Sequence, residues 1–249
     1  MKPWRARILK LLALCLILAV LSGAYHSFKA LPAGVSIQGR AAVTHDIAFI
    51  PDATWVDETG QRHVDQAIFD EVLRIIAAAQ RLIVVDMFLF NDFQGPTAET
   101  TRAISDELTS ALIARKRERP DIDIIVISDP VNTVYGGLPS PFFERLRAAG
   151  IPVAITDLRK LRDSNPAYSA FWRLFVKPFG NTEANTLPNP LGPGRVSLRS
   201  YLELVNFKAN HRKVMVADSG DDFVYANVPT GTTIIAAMIS YSCANCAPY

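Results

Sequence analysis

Residues 82–90, Leu-Ile-Val-Val-Asp-Met-Phe-Leu-Phe, are nearly all apolar and rich in branched and aromatic side chains. A run this short, with that composition, fits a strand covered on both faces and leaves little room for a sheet open to water. Helical patterns flank it. Before it, Val64, Ile68, Val72, Ile75, Ile76 and Ala79 form a helical stripe with Asp65, Asp70, Glu71 and Arg74 off it; after it, residues 97–119 place Ile104, Leu108, Ala111 and Leu112 on one side. Residues 122–128 predict another buried strand. Ser140 and Pro141 then open a short helix, Gly150 closes it, and residues 151–155 form the next strand. With a first strand around Ile47 and Phe49 ended by Pro51-Asp52, this alternation predicts an α/β fold, a mixed sheet flanked by helices.

Two features interrupt the apolar pattern. Asp86 sits inside the run at 82–90, where an ionised carboxylate must be paired or hydrogen-bonded; it is either a satisfied structural group or one that orients an active-site imidazole. The second is Asn210-His211-Arg212-Lys213-Val214-Met215-Val216-Ala217-Asp218, which reads as a strand. Alternation puts His211 and Lys213 on one face and points Val214 and Val216 into the core. An imidazole beside an ammonium suits a phosphate ester, because one supplies a neutral nucleophile or an acid and the other holds the phosphoryl oxygens. Asp218, at the strand's end, is placed to accept hydrogen bonds that fix local geometry. The loop after the strand at 122–128 begins at Asp129-Pro130 and carries Asn132, Tyr135, Gly136 and Gly137; ligands collect at such carboxyl ends, so it is expected to border the pocket. Chemistry of this kind calls for no cofactor and no metal.

The His211-x-Lys213-(x)4-Asp218 spacing is that of the phospholipase D superfamily. Residues 82–92 (LIVVDMFLFND), 129–137 (DPVNTVYGG) and 142–151 (FFERLRAAGI) fall in the order of the N-terminal half of cardiolipin-synthase-like members, so the chain resembles that family from 43 to 218. The resemblance implies a phospholipase D-like half-fold and a phosphodiesterase or phosphatidyltransferase acting on phospholipid through a phosphohistidine. His211 would be nucleophile or general acid, Lys213 a phosphate ligand and Asp218 structural. Asp86, Asp129, Asn132 and Asn227 would lie around the substrate. Asn227 departs from the family pattern, being displaced by one place in Tyr225-Ala226-Asn227-Val228. The family uses two histidines, and this sequence holds one copy of the motif: His26, His45 and His63 lack a lysine two residues on. A homodimer or a missing second half would complete the site. Residues 223–249 contain no charged side chain, which leads to the expectation of a truncated or poorly ordered tail. The rival readings are a single-motif nuclease acting as a homodimer and an inactive or truncated membrane-anchored member.

The N-terminus reads separately. Lys2, Arg5, Arg7 and Lys10 precede an uncharged run at 11–24, the layout of a membrane anchor or, if cut at Ser22-Gly23-Ala24, of a secretory signal. Positive charge ahead of the run keeps that end cytoplasmic and sends the main domain to the outer side. The expected division is therefore 1–30 anchor or signal outside the fold, a linker at 31–39, a single domain at 41–222 and a tail at 223–249. Net charge of +2 gives no nucleic-acid footprint. Cys243 and Cys246 form one C-x-x-C without the second pair that zinc needs. Tyr168, Phe171, Trp172, Phe175 and Phe179 sit in an insertion, either as a lipid-facing lid or as helical core. Residues 196–207 then read as the strand that pairs with the motif strand.

Overall fold

The computed structural model describes residues 3–35, 47–94, 102–181 and 186–218, together with the backbone of 223–227 and 237–242. In chain order the elements are α1 (Pro3–Phe28), β1 (Ile47–Ile50), β2 (Ala53–Val56), β3 (Arg62–Asp65), α2 (Ala67–Ala78), β4 (Leu82–Met87), α3 (Ile104–Glu118), β5 (Asp123–Ser128), α4 (Pro141–Ala148), β6 (Val153–Ile155), α5 (Pro166–Phe175), β7 (Leu187–Pro188), β8 (Arg195–Val196), α6 (Leu198–Glu203), β9 (Lys213–Asp218), β10 (Phe223–Asn227) and β11 (Ala237–Ser242). They divide into two compact units. One comprises Met1–Gly39, Thr133–Leu138 and Asp157–Ala209; the other comprises Arg40–Asn132, Pro139–Thr156 and Asn210–Tyr249. Residues 36–39 of the expected linker at 31–39, and the C-x-x-C at 243–246, lie outside the described residues.

The second unit is α/β. Its sheet runs β1-β11-β10-β9-β4-β5-β6 among the described residues. β4, β5 and β6 are parallel, and β9 lies antiparallel against β4 with Asp86 opposite Val214 and Met87 opposite Lys213. Core packing explains the arrangement. Ile68, Val72, Ile75 and Ile76 of α2 and Leu108 and Leu112 of α3 bury against Ile83, Val85 and Met87 of β4, Ile124 and Val126 of β5, and Met215 and Ala217 of β9. α2 starts later than the apolar stripe implies: Val64 belongs to β3, whose hairpin with β2 ends at Asp65, and the Asp52 carboxylate receives the Ile68 N–H at 2.9 Å. The basic end of α3 is partly structural, since buried Arg115 donates from Nε to the Ala79 carbonyl at 2.7 Å and satisfies the end of α2. Ser140 caps α4, accepting from the Phe143 N–H at 3.4 Å.

Three expectations need correction. The core face of the motif strand is that of Met215 and Ala217, both fully buried, while Val214 and Val216 are only half-buried; Lys213 thus begins the same face that α2 and α3 cover. Residues 198–203 are helical rather than extended, because the Ser197 hydroxyl accepts the Ser200 N–H at 3.2 Å and caps α6, leaving β4 and β10 as the partners of β9. The tail supplies two strands: β10 pairs with β9 and β11 pairs with β10 and β1, although the rest of 228–249 lies outside the described residues.

The first unit gathers α1, α5 and α6. α1 is not detached from folded structure. Gly23 is buried, with a Cβ there placed 3.4 Å from the Pro166 carbonyl oxygen and 3.8 Å from the Ala170 Cβ, and the Asp163 N–H donates to the His26 carbonyl at 3.0 Å. A second close approach occurs at Gly137, where a Cβ would meet the Ser200 hydroxyl at 2.9 Å. Within this unit the Asp163 side chain is fully buried and receives Arg173 and Lys208, each at 2.7 Å.

The face assignment of β9 is open to direct test. Met215→Ala is expected to lower unfolding free energy by about 2–5 kcal/mol, the range for truncating a fully buried aliphatic side chain. Val216→Ala is expected to cost clearly less. Urea denaturation of both variants checks this, and equal losses would contradict the assignment.

Candidate functional site

The carboxyl ends of β4, β5 and β6 meet at one side chain, Asn210, which enters the motif strand. Its amide donates to Asp86 Oδ1 at 2.7 Å and to Thr156 Oγ1 at 3.1 Å, and its backbone N–H donates to Asp129 Oδ2 at 2.6 Å. Asp86 is therefore a satisfied carboxylate on the face opposite the motif. Its second oxygen lies 3.5 Å from the guanidinium of Arg212, a side chain 60% exposed, so that pair adds little. Asp129 is fully buried just past β5 and also receives the Val131 N–H at 2.8 Å. Burial raises its carboxyl above the usual aspartate range, opposed by these two N–H donors and by the charge of nearby His211.

Asn132 is committed to the chain itself. Its carbonyl oxygen accepts from the Phe90 N–H at 2.8 Å and the Asn91 amide at 2.5 Å, and its amide donates to the Phe88 carbonyl, the Ser128 hydroxyl and the Asp129 carbonyl at 2.7, 2.8 and 3.1 Å. With 1% exposure it organises the loop and presents nothing to a ligand. Asn227 stands opposite Val214 in the β9–β10 register.

His211 and Lys213 come together at the open start of β9. His211 is exposed, and its ring packs on Phe88 at 4.7 Å between centroids, tilted by 59°. The Lys213 ammonium lies 3.0 Å from His211 Nε2 and 3.2 Å from Nδ1, and so donates to whichever nitrogen lacks a proton. It also stands 5.5 Å over the Phe88 ring. Burial of its stem lowers the Lys213 pKa from the ordinary lysine value. The result is a paired imidazole and ammonium on an aromatic floor, open on one side, which suits an incoming oxyanion.

Asp218 anchors the other end of the strand. One carboxylate oxygen receives the N–H groups of Gln80, Arg81 and Leu82 at 3.1, 2.7 and 2.7 Å, and the other lies 3.4 Å from Arg81 Nε. Burial alone would raise this carboxyl, but the three N–H donors outweigh it and hold the pKa below the ordinary aspartate value.

Phe88 and Asn210 carry much of this geometry and were not singled out from sequence. The available signal was positional: Phe88 follows directly on β4's carboxyl end, and Asn210 immediately precedes the motif. Among the described residues no group of three or more His, Cys, Asp or Glu side chains is arranged to hold a metal. A hollow of about 380 Å³ on the same unit, lined by Ser110, Arg117 and Arg145 among others, contains none of the site residues. The sequence matches no protein-family model, and no curated protein matches it significantly.

The depressed Asp218 carboxyl ties stability to acidity. Its contribution is fully present above the unfolded-state aspartate pKa of about 4 and is lost as pH falls through the lower folded-state value. Asp218→Asn is expected to cost about 1–3 kcal/mol at neutral pH and to flatten this part of the acid dependence, read from denaturation curves between neutrality and acid. An unchanged acid slope would contradict the role given to the carboxylate.

Proposed function

We propose that the chain is a membrane-anchored phosphodiesterase or phosphatidyltransferase of the phospholipase D type, acting on phospholipid. One observation carries the reading: the Lys213 ammonium lies 3.0 Å from an exposed His211 ring, in a motif that spaces histidine, lysine and aspartate as that family does. A nitrogen of His211 attacks phosphorus. The bond from phosphorus to the leaving alcohol breaks, and the alcohol oxygen takes a proton from a second histidine. Water or an acceptor alcohol then gives its proton to that second histidine and attacks phosphorus, breaking the phosphorus–nitrogen bond. Lys213 holds the phosphoryl oxygens as negative charge grows on them. Asp129 and Asn210 position His211 at the entry to β9, and Asp218 holds the strand's far end.

The second histidine comes from another motif copy, supplied by a second chain in a symmetric pair or by a further half of the protein. α1 supplies the membrane attachment. Its 26 helical residues have mean hydropathy 2.3 in their most apolar window and are almost wholly exposed, and at 1.5 Å per residue they extend roughly 39 Å, enough to cross a bilayer. Arg5, Arg7 and Lys10 at its start favour a cytoplasmic N-terminus, with the remainder on the outer side.

His211→Ala is expected to abolish hydrolysis of phosphatidylglycerol while leaving circular dichroism and the denaturation midpoint unchanged; turnover surviving that change would exclude this chemistry. Lys213→Ala is expected to lower kcat by about 10²–10³, the range for removing one donor to a developing oxyanion. Specific activity is expected to fall on dilution where a second chain supplies the partner histidine, and to stay constant where a further half of the same protein does. Single-stranded DNA assayed with the same preparation separates lipid from nucleic-acid specificity.

A further inference from the structure

We infer that α5 and the single 3-10 turn after it, Lys177–Phe179, form a second lipid contact that lies in an anionic membrane interface beside the exit of α1. This rests on the membrane attachment proposed above and is independent of the phosphodiester chemistry.

The first support is the exposure of the aromatics. Of the five that left lid and core equally open, Trp172 is buried at 5%, but Phe171 and Phe175 are exposed and Phe179 is 79% exposed. Phe171 and Phe175, one helical turn apart, touch at 5.4 Å between ring centroids, and Tyr168 adjoins Phe171 at 6.4 Å. Together they make a continuous aromatic ridge. Large apolar side chains exposed in contiguous series mark an interaction surface, whereas singly scattered ones do not.

Continuity with α1 identifies the partner. α5 packs on the last turns of α1 through Pro166, Ala170 and Arg173: the first two cover Gly23, and the Arg173 Nε donates to the Ser22 hydroxyl at 3.1 Å. A helical wheel puts Phe171 and Phe175 on a different side of α5 from these positions, so the ridge stays free while the helix is held at the level where the apolar run of α1 ends. Tyr25 and Phe28, both largely exposed, add aromatic side chains at the same end of α1. Aromatic side chains at such a level match the headgroup boundary of a bilayer.

Charge complementarity makes the lipid anionic. Residues 157–209 hold eight Lys and Arg against four Asp and Glu, so this segment carries more positive charge than the whole chain's net +2. Lys177 lies between Phe175 and Phe179 in the chain, a position from which a long stem can follow apolar surface and carry its ammonium to phosphate level.

The test uses the full chain with Cys15, Cys243 and Cys246 changed to Ser, reconstituted in vesicles of phosphatidylglycerol and phosphatidylcholine. An environment-sensitive fluorophore is attached at Phe179→Cys, at Phe171→Cys or, as reference, at Glu58→Cys in the exposed β2–β3 turn. Brominated lipid is expected to quench the first two labels several-fold more than the reference, and aqueous iodide to show the reverse order. Replacing phosphatidylglycerol by phosphatidylcholine is expected to shrink the difference. Lipid quenching at either site no greater than at position 58 would overturn the inference, as would a mature chain recovered without α1. Phospholipid turnover measured on the same vesicles keeps the two questions apart: an active but unquenched protein refutes the lipid contact alone, and a quenched but inactive one refutes the chemistry alone.

Discussion

Strand β9 is clamped at both ends by carboxylates that lie elsewhere in the sheet or at its own terminus. At its start, Asp129 and Asp86 hold Asn210 through a backbone N–H and a side-chain amide; at its finish, Asp218 gathers three consecutive backbone N–H groups that lead into β4. Because β9 is antiparallel to β4, the two clamps set both its register and its reach. His211 and Lys213 stand immediately after the first clamp. Lys213 is fixed by the sheet, and His211, two residues ahead of it and just outside the strand, is held between Asn210 and the Arg212 carbonyl that accepts the Phe88 N–H at 2.7 Å, so the two groups stand in a defined relation.

The polar groups of this region have divided roles. Asp86, Asn132 and Asp218 turn their hydrogen-bonding capacity inward and are nearly inaccessible, whereas His211 and Lys213 are the members left open. Buried carboxylates of this kind are costly unless fully partnered, and here each one is. The carboxyl ends of the parallel strands thus act as a frame for the motif. Phe88 adds the apolar floor on which the imidazole and the ammonium both rest.

Much of the sheet-forming half was legible because its strands and helices obey clean periodicities. The runs that became β4, β5 and β6, the cap at Ser140 and the stripe on α2 are all local signals, although β5, expected to be buried, is exposed at Asp123 and Ile125 and is covered on one face only. Where the reading failed, the deciding information was not local. Val214 and Met215 are both apolar, and only the position of α2 and α3 decides which of them is buried. The stretch 196–207 carries Val196, Tyr201, Val205 and Phe207, which suit a strand, yet the Ser197 cap and the packing of Tyr168 against residues 198–203, through a 2.7 Å hydrogen bond to the Leu202 carbonyl, select a helix. The tail lacks charge, and that absence concealed strands that join the sheet's interior rather than its solvated rim. At the site, the proximity of histidine and lysine was readable from their spacing, while the roles of Asn210 and Phe88 required the fold.

The strand order also governs when the molecule completes itself. β4 has β5 on one side, reached within about forty residues, but its other neighbour, β9, arrives only after the first unit's main segment has intervened. Such distant pairing closes a large loop and slows folding relative to the local helix and strand contacts. One edge of β4 therefore stays bare until residues 213–218 have been made, offering unpaired N–H and C=O groups to any passing strand. The residues that bring the imidazole and the ammonium into place adjoin or form the strand that covers this edge, so the site and the protection against aggregation arise together.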